Sequence, residues 1–173
     1  MFRRLTIGFL VFCTFLLKGQ TATKFDNLVD SANKYEFIDW NLSYSYAKMA
    51  LENKDADFSY KDIISLNTIF DTYYQNRNML DSSFSINKRS LKLATENKDS
   101  VLIAYSLNNM AGVYDLAGNY SSAVDIYKSA LVLLEKLKET KQIANTQYNI
   151  AIPYSKMHMP DSARYFTDLA FAN

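Results

Sequence analysis

Between residues 120 and 138 the apolar side chains Val124, Tyr127, Leu131, Leu134 and Leu137 return at three- and four-residue steps, with polar residues between them. That spacing marks one face of an α-helix. The stretch before it, Ser106-Leu107-Asn108-Asn109-Met110-Ala111-Gly112-Val113-Tyr114, has the same period. The two are separated by the short polar break Gly118-Asn119. A similar break, Met159-Pro160-Asp161-Ser162, sits further on, where Asp161 or Ser162 is suited to cap the helix that follows. The pattern predicts helix–turn–helix units.

These units recur, and recurrence at a fixed period is the signature of a repeat architecture. Ser65-Leu66-Asn67-Thr68-Ile69-Phe70-Asp71-Thr72-Tyr73 aligns with the Ser106–Tyr114 string, and Thr146-Gln147-Tyr148-Asn149-Ile150-Ala151-Ile152-Pro153-Tyr154 aligns with both. Tyr73, Tyr114 and Tyr154 then stand about 41 and about 40 residues apart. The second helix recurs in phase: Ala123, Tyr127, Ala130 and Leu131 have counterparts in Ala163, Thr167, Ala170 and Phe171. Earlier copies lie at Tyr46-Ala47-Lys48-Met49-Ala50-Leu51 and around Ser90-Leu91.

The small and aromatic positions of the best copy carry a resemblance. Leu107, Ala111, Tyr114, Gly118, Tyr120, Ala123, Tyr127 and Ala130 fall in order on the signature of the tetratricopeptide repeat. The copy at 142–172 keeps Ala151, Tyr154, Ala163 and Ala170; the copy at 57–97 keeps Leu66, Tyr73 and Leu91 and loses the alanines. Residues 24–53 resemble a half-formed first repeat, 57–97 a degenerate one, 101–138 the best one and 142–172 a last one without a cap. The resemblance implies an all-α fold, a right-handed α-solenoid of helix pairs in which stacked neighbours bury one another's apolar faces. The period exceeds the family's usual length. In this the chain is similar to the exported sensory regions of bacterial tetratricopeptide histidine kinases and regulators.

The first residues stand apart from this pattern. Arg3 and Arg4 precede an almost unbroken apolar run from Leu5 to Leu17, which turns polar at Lys18-Gly19-Gln20. The run is shorter than the roughly 20 residues a membrane span needs. It therefore predicts a secretory signal over residues 1–22, the other reading being an uncleaved anchor helix. Phe12 precedes Cys13 where lipidation wants a small residue. Export implies a periplasmic location, or a membrane-anchored one facing outside the cytoplasm.

Composition narrows the rest. Gly 4 and Pro 2 in 173 residues are too few for the turns of a sandwich or barrel, while Tyr 13 and Phe 11 require a core built partly from rings. A formal charge of +1 gives no electrostatic footprint for nucleic acid, and losing Arg3, Arg4 and Lys18 would make the chain mildly acidic. Cys 1 means that removing the signal removes the chain's thiol, and with it disulfides, thiolate metal sites and cysteine nucleophiles.

Catalytic chemistry finds no support. His158 is the lone histidine, placed beside Pro160 in a turn, with no second ligand and no nucleophile-elbow motif to serve. Gly112 and Gly118 stand at repeat positions rather than in a phosphate loop. The charge run Glu135-Lys136-Lys138-Glu139-Lys141 reads as a solvated helix face. No enzyme activity, cofactor or metal is expected.

What the resemblance implies instead is a non-enzymatic scaffold that binds a protein or peptide in a concave groove lined by the first helix of each pair. Either it is the sensory front of a signal-transduction protein, or it is a free-standing exported adaptor. A membrane would be met only through an uncleaved signal or a further downstream segment. By register the groove residues are Asn67, Tyr105, Asn108, Asn109, Asp115, Tyr148, Asn149 and Lys156. An amide offers both donor and acceptor, which suits a peptide backbone; equally, asparagines can tie neighbouring helices together. Lys156 is the one lysine in register to meet a terminal carboxylate. The aromatic segments Tyr73-Tyr74, Tyr35–Trp40 and Tyr44–Tyr46 serve either the core or a contact surface. Two further expectations concern the last repeat. Pro153 should kink or weaken its first helix, and Phe166, Leu169 and Phe171 should leave an apolar face able to self-associate.

Overall fold

The computed structural model describes residues 25–53 and 58–172. The signal segment of residues 1–22 and the start of the second copy at residue 57 lie outside that range. The described residues form helices joined by short turns, with no strand among them. In order they are α1 (residues 25–35), α2 (Trp40–Leu51), α3 (Tyr60–Asn76), α4 (Leu80–Glu96), α5 (Ser100–Leu116), α6 (Tyr120–Leu137), α7 (Thr140–Lys156) and α8 (Pro160–Ala172).

The helices keep a common step of 40 residues: α3, α5 and α7 begin at Tyr60, Ser100 and Thr140, while α2, α4, α6 and α8 begin at Trp40, Leu80, Tyr120 and Pro160. The turns keep it as well. Asn78, Gly118 and His158 take a left-handed backbone conformation between the helices of a pair, and Lys98 and Lys138 take it between pairs. His158 thus occupies the position that Gly118 fills in the best copy, a backbone role that explains its place in the chain.

This step corrects the register of the first full copy. Counting back 40 residues from Tyr114 reaches Tyr74, not Tyr73, and the residue equivalent to Asn108 is Thr68, not Asn67. The small residues that seemed lost there are present as serines. Ser83 and Ser90 stand where Ala123 and Ala130 stand in α6, and all four are buried. A serine in a helix returns its hydroxyl to its own backbone, as Ser90 Oγ does to the carbonyl of Ile86 at 3.1 Å. It therefore substitutes for alanine without leaving an unsatisfied donor.

The described residues divide into two compact units, one ending at Tyr73 and the other beginning at Tyr74. In the first, Ser43 of α2 donates to the carbonyl of Ala32 at 2.8 Å, which draws α2 against α1. Tyr35 stacks on Tyr46, and Tyr44 lies against both Phe70 and Tyr73. Phe37 and Trp40, by contrast, are exposed, so this aromatic-rich stretch is divided between packing and surface.

In the second unit each helix from α4 to α8 packs on the next, and α5 also touches α7. The core joins Ala104 and Ala111 of α5, Ala123, Tyr127, Leu131 and Leu134 of α6, and Ile143 and Ile150 of α7. The alanines let the helix axes approach while Tyr127 fills the space between pairs. α7 runs as one helix through the buried Pro153 to Lys156. Pro153 stands in the last turn, so the ladder forgoes one bond, to the carbonyl of Asn149, close to where it would end anyway.

Candidate functional site

On α5, Tyr105, Asn108, Gly112 and Asp115 follow one another at three- and four-residue steps, with Asn109 beside Asn108, and so form one stripe. On α7, Tyr148, Asn149, Ile152 and Ser155 form the equivalent stripe, 40 residues on in the repeat, with Lys156 next to Ser155. The two helices are neighbours, and one contact joins the stripes directly. Lys156 Nζ donates to Asp115 Oδ2 at 2.6 Å.

The environment of that pair is uneven. Asp115 is only 9% exposed, whereas the Lys156 side chain is 39% exposed, with its ammonium 5.4 Å from the centre of the Tyr120 ring. Oδ1 of Asp115 and Oδ1 of Asn108 are buried without a hydrogen-bond partner. Tyr127 lies close enough to feel the Asp115 charge. Burial, and then that charge, push its phenol well above the ordinary tyrosine range.

The expected groove residues therefore separate. Tyr105, Asn108, Asn109 and Asn149 are half-buried along the two stripes, and Tyr148 is 52% exposed. Asp115 and Lys156 join them as a pair that is already satisfied on one side, so Lys156 is not a free cation waiting for a carboxylate. Asn67 does not belong to the set: it is buried in α3, because the one-residue correction of register turns it into the core.

α7 and α8 border an open hollow of about 430 Å³, lined by Tyr148, Ile152 and Lys156 of the stripe together with Arg164 and Thr167 of α8. Spacing alone did not reveal it. The signal was present in the alignment, where Thr167 stands at the position of Tyr127 and lacks a ring to fill that space. Across from it, Lys128 donates to the Tyr154 hydroxyl at 2.9 Å and lies over the Tyr154 and Phe166 rings, which stack on each other. Among the described residues no group of three or more His, Cys, Asp or Glu side chains could hold a metal ion. The arrangement offers amides, phenols and one tethered ion pair, groups suited to hydrogen bonding and contact.

No family model and no curated protein sequence matches the chain. Solved structures do. Aspartyl phosphate phosphatase F from Bacillus subtilis is 17% identical with a TM-score of 0.76, over 87% of this chain and 40% of that one. The apo form of RapI is 19% identical with a TM-score of 0.74, over 86% of this chain and 54% of that one. The tetratricopeptide-repeat domain of Arabidopsis FLU is 18% identical with a TM-score of 0.60, over 66% of this chain and 96% of that domain. The chain spans less than two thirds of the first two proteins. These likenesses show the fold, a tetratricopeptide-type succession of helix pairs.

Proposed function

We propose that this tetratricopeptide-type chain is a protein-binding scaffold that holds a segment of a partner along the stripes of α5 and α7. The observation that carries the reading is the direct tie between the two stripes. The Asp115–Lys156 pair ties α5 to α7 near their C-terminal ends, and in this reading Tyr105, Asn108, Asn109, Tyr148 and Asn149 supply the amides and rings that meet the partner. Asparagine side chains match the alternating donors and acceptors of a peptide backbone, and tyrosines supply large contact area at small entropic cost. Because Lys156 is engaged by Asp115, the surface is suited to an internal stretch of a partner rather than to a terminal carboxylate.

The test is selection from a displayed random-peptide library on the full chain, followed by binding measurements on the enriched peptide. Tyr105→Ala, Asn109→Ala and Tyr148→Ala should each weaken binding, the strongest by about tenfold or more. Failure to enrich any peptide, or binding untouched by all three changes, would overturn the reading.

The basic and apolar pattern of residues 1–22 supports a site of action outside the cytoplasm. A fusion of that segment to an export-dependent reporter should be active; an inactive fusion would contradict export. The elongated repeats, with their Leu-Asn-Asn string at 107–109, support a sensory role in signal transduction over a free-standing adaptor. Translation of the reading frame beyond Asn173 into an output domain is the check on that choice.

A further inference from the structure

Gly112 is the one stripe residue of α5 without a side chain, and what lies behind it is polar. A methyl group built there would meet the Tyr127 hydroxyl of α6 at 3.4 Å, with no atom of another helix besides it within 4 Å. The glycine therefore leaves a notch in the stripe with that hydroxyl at its floor. Tyr127 is only 5% exposed, yet its hydroxyl makes no hydrogen bond with any described residue. A buried phenol without a partner points to a group that arrives from outside. The notch does not owe its opening to where the chain stops, because α5 packs on α4, α6 and α7 within the second unit. We propose that it receives the side-chain carboxamide of a glutamine or asparagine of the bound segment, whose N–H donates to the Tyr127 hydroxyl oxygen. This names the partner chemistry of the α5–α7 surface and rests on that reading of it.

Size, hydrogen-bonding sense and charge select that group. Asn108 stands one turn before Gly112 on the stripe and Asp115 one turn after, so the opening is a single residue long. It admits the tip of a side chain rather than a main chain. The Asp115 charge acts on Tyr127, and a hydroxyl turns its proton toward a nearby anion, which leaves its lone pairs to accept. Oδ1 of Asn108 and Oδ1 of Asp115, to either side, are acceptors without partners as well. Three acceptors call for a ligand group that donates. The Lys156 ammonium, 2.6 Å from Asp115 Oδ2, already neutralises that carboxylate and repels a second cation beside it. A lysine or arginine tip is thereby disfavoured, and a carboxylate has no proton to give. A primary carboxamide is neutral and carries two N–H donors.

The test uses the full chain and the peptide selected against it from the displayed library. Each glutamine or asparagine of that peptide is changed in turn to the acid of the same shape, and to methionine or leucine. One position should lose about tenfold or more in affinity, with the acid the worse of its two replacements. Gly112→Ala, which fills the notch, and Tyr127→Phe, which removes the acceptor, should each weaken the original peptide by a similar factor. On either variant the sensitive replacement should cost little more, because the contact it removes is already gone. Melting curves of both variants separate a lost contact from a lost fold, and alanine is at home at the helical Gly112 site. Tyr105→Ala should weaken the peptide yet keep its preference for the carboxamide. Peptides without glutamine or asparagine would overturn the proposal and leave the scaffold reading standing. So would peptides weakened by Tyr105→Ala and Tyr148→Ala but indifferent to Gly112→Ala and Tyr127→Phe. A peptide indifferent to all four changes, or no enrichment at all, would overturn both.

Discussion

The carboxylate of Asp115 and the ammonium of Lys156 meet at 2.6 Å across 41 residues of chain, each near the C-terminal end of its helix. Removing the lysine leaves a buried carboxylate with neither oxygen paired. Lys156→Ala should therefore destabilise the chain by about 1–3 kcal/mol, the cost of an uncompensated buried acceptor. Asp115→Asn, which takes the charge away along with the pairing, should cost less, and adding it to Lys156→Ala should recover part of the loss. Urea unfolding of the single and double variants measures this. Additive losses in the double variant would mean that the pair does not couple the two helices.

Ala123 and Ala130 are fully buried between α6 and its neighbours, whereas Ala163 at the equivalent place on α8 is half-buried. A glutamate at either of the first two positions must bury an unpaired charge, so each should cost several kcal/mol or abolish folding. Ala163→Glu should be milder, because its carboxylate can reach water. Thermal melts of the three variants rank them, and a ranking with Ala163→Glu as the most damaging would contradict the assignment of buried and open faces.

The glycines separate by their backbone. A Cβ added at Gly112 would meet the Tyr127 hydroxyl at 3.4 Å, an ordinary contact, and the site is helical, so Gly112→Ala should be neutral or stabilising by up to about 1 kcal/mol. Gly118 has φ +79°, so Gly118→Ala should cost about 1 kcal/mol even though the space around it is open. The converse holds at Lys138 and His158, with φ of 59° and 58°, where a change to glycine should raise stability by a few tenths of a kcal/mol. Calorimetric midpoints check all four.

The step of the repeat, the helix pairs and most of the packing alanines were legible in the sequence, because spacing and residue size specify them directly. The register of the first full copy was not. Tyr73 and Tyr74 are adjacent aromatics, and aligning the wrong one shifts the copy by one residue. One residue is about 100° of rotation on a helix, enough to carry Asn67 from an open stripe into the core, where it lies. The Asp115–Lys156 tie escaped for a different reason. Both residues were marked as groove-facing, but only the packing of α5 against α7 makes them partners. The hollow at Thr167 needed the volume of a missing ring, which periodicity does not register.

Tyr127 links stability to alkaline pH. Its native phenol is held neutral by burial and by the nearby Asp115 charge, while the unfolded chain ionises it near 10.0. The native state then keeps a proton that the unfolded state releases, so this contribution is complete below about pH 10 and declines as pH rises above it. Tyr127→Phe should flatten the fall in stability between about pH 10 and 11, followed by denaturant midpoints across that range. An unchanged slope would mean that the Tyr127 ring ionises as an exposed phenol does.

The account stands most directly on where a bound segment lies. Amide chemical shifts of the isotope-labelled chain, recorded while the library-selected peptide is titrated in, locate it residue by residue. The account predicts a continuous set of saturable shifts at Tyr105, Asn108, Asn109, Tyr148 and Asn149, lost together on Tyr148→Ala. Shifts gathered instead on the outer residues of α4, such as Lys88 and Lys92, with the α5 and α7 stripes unmoved, would contradict it.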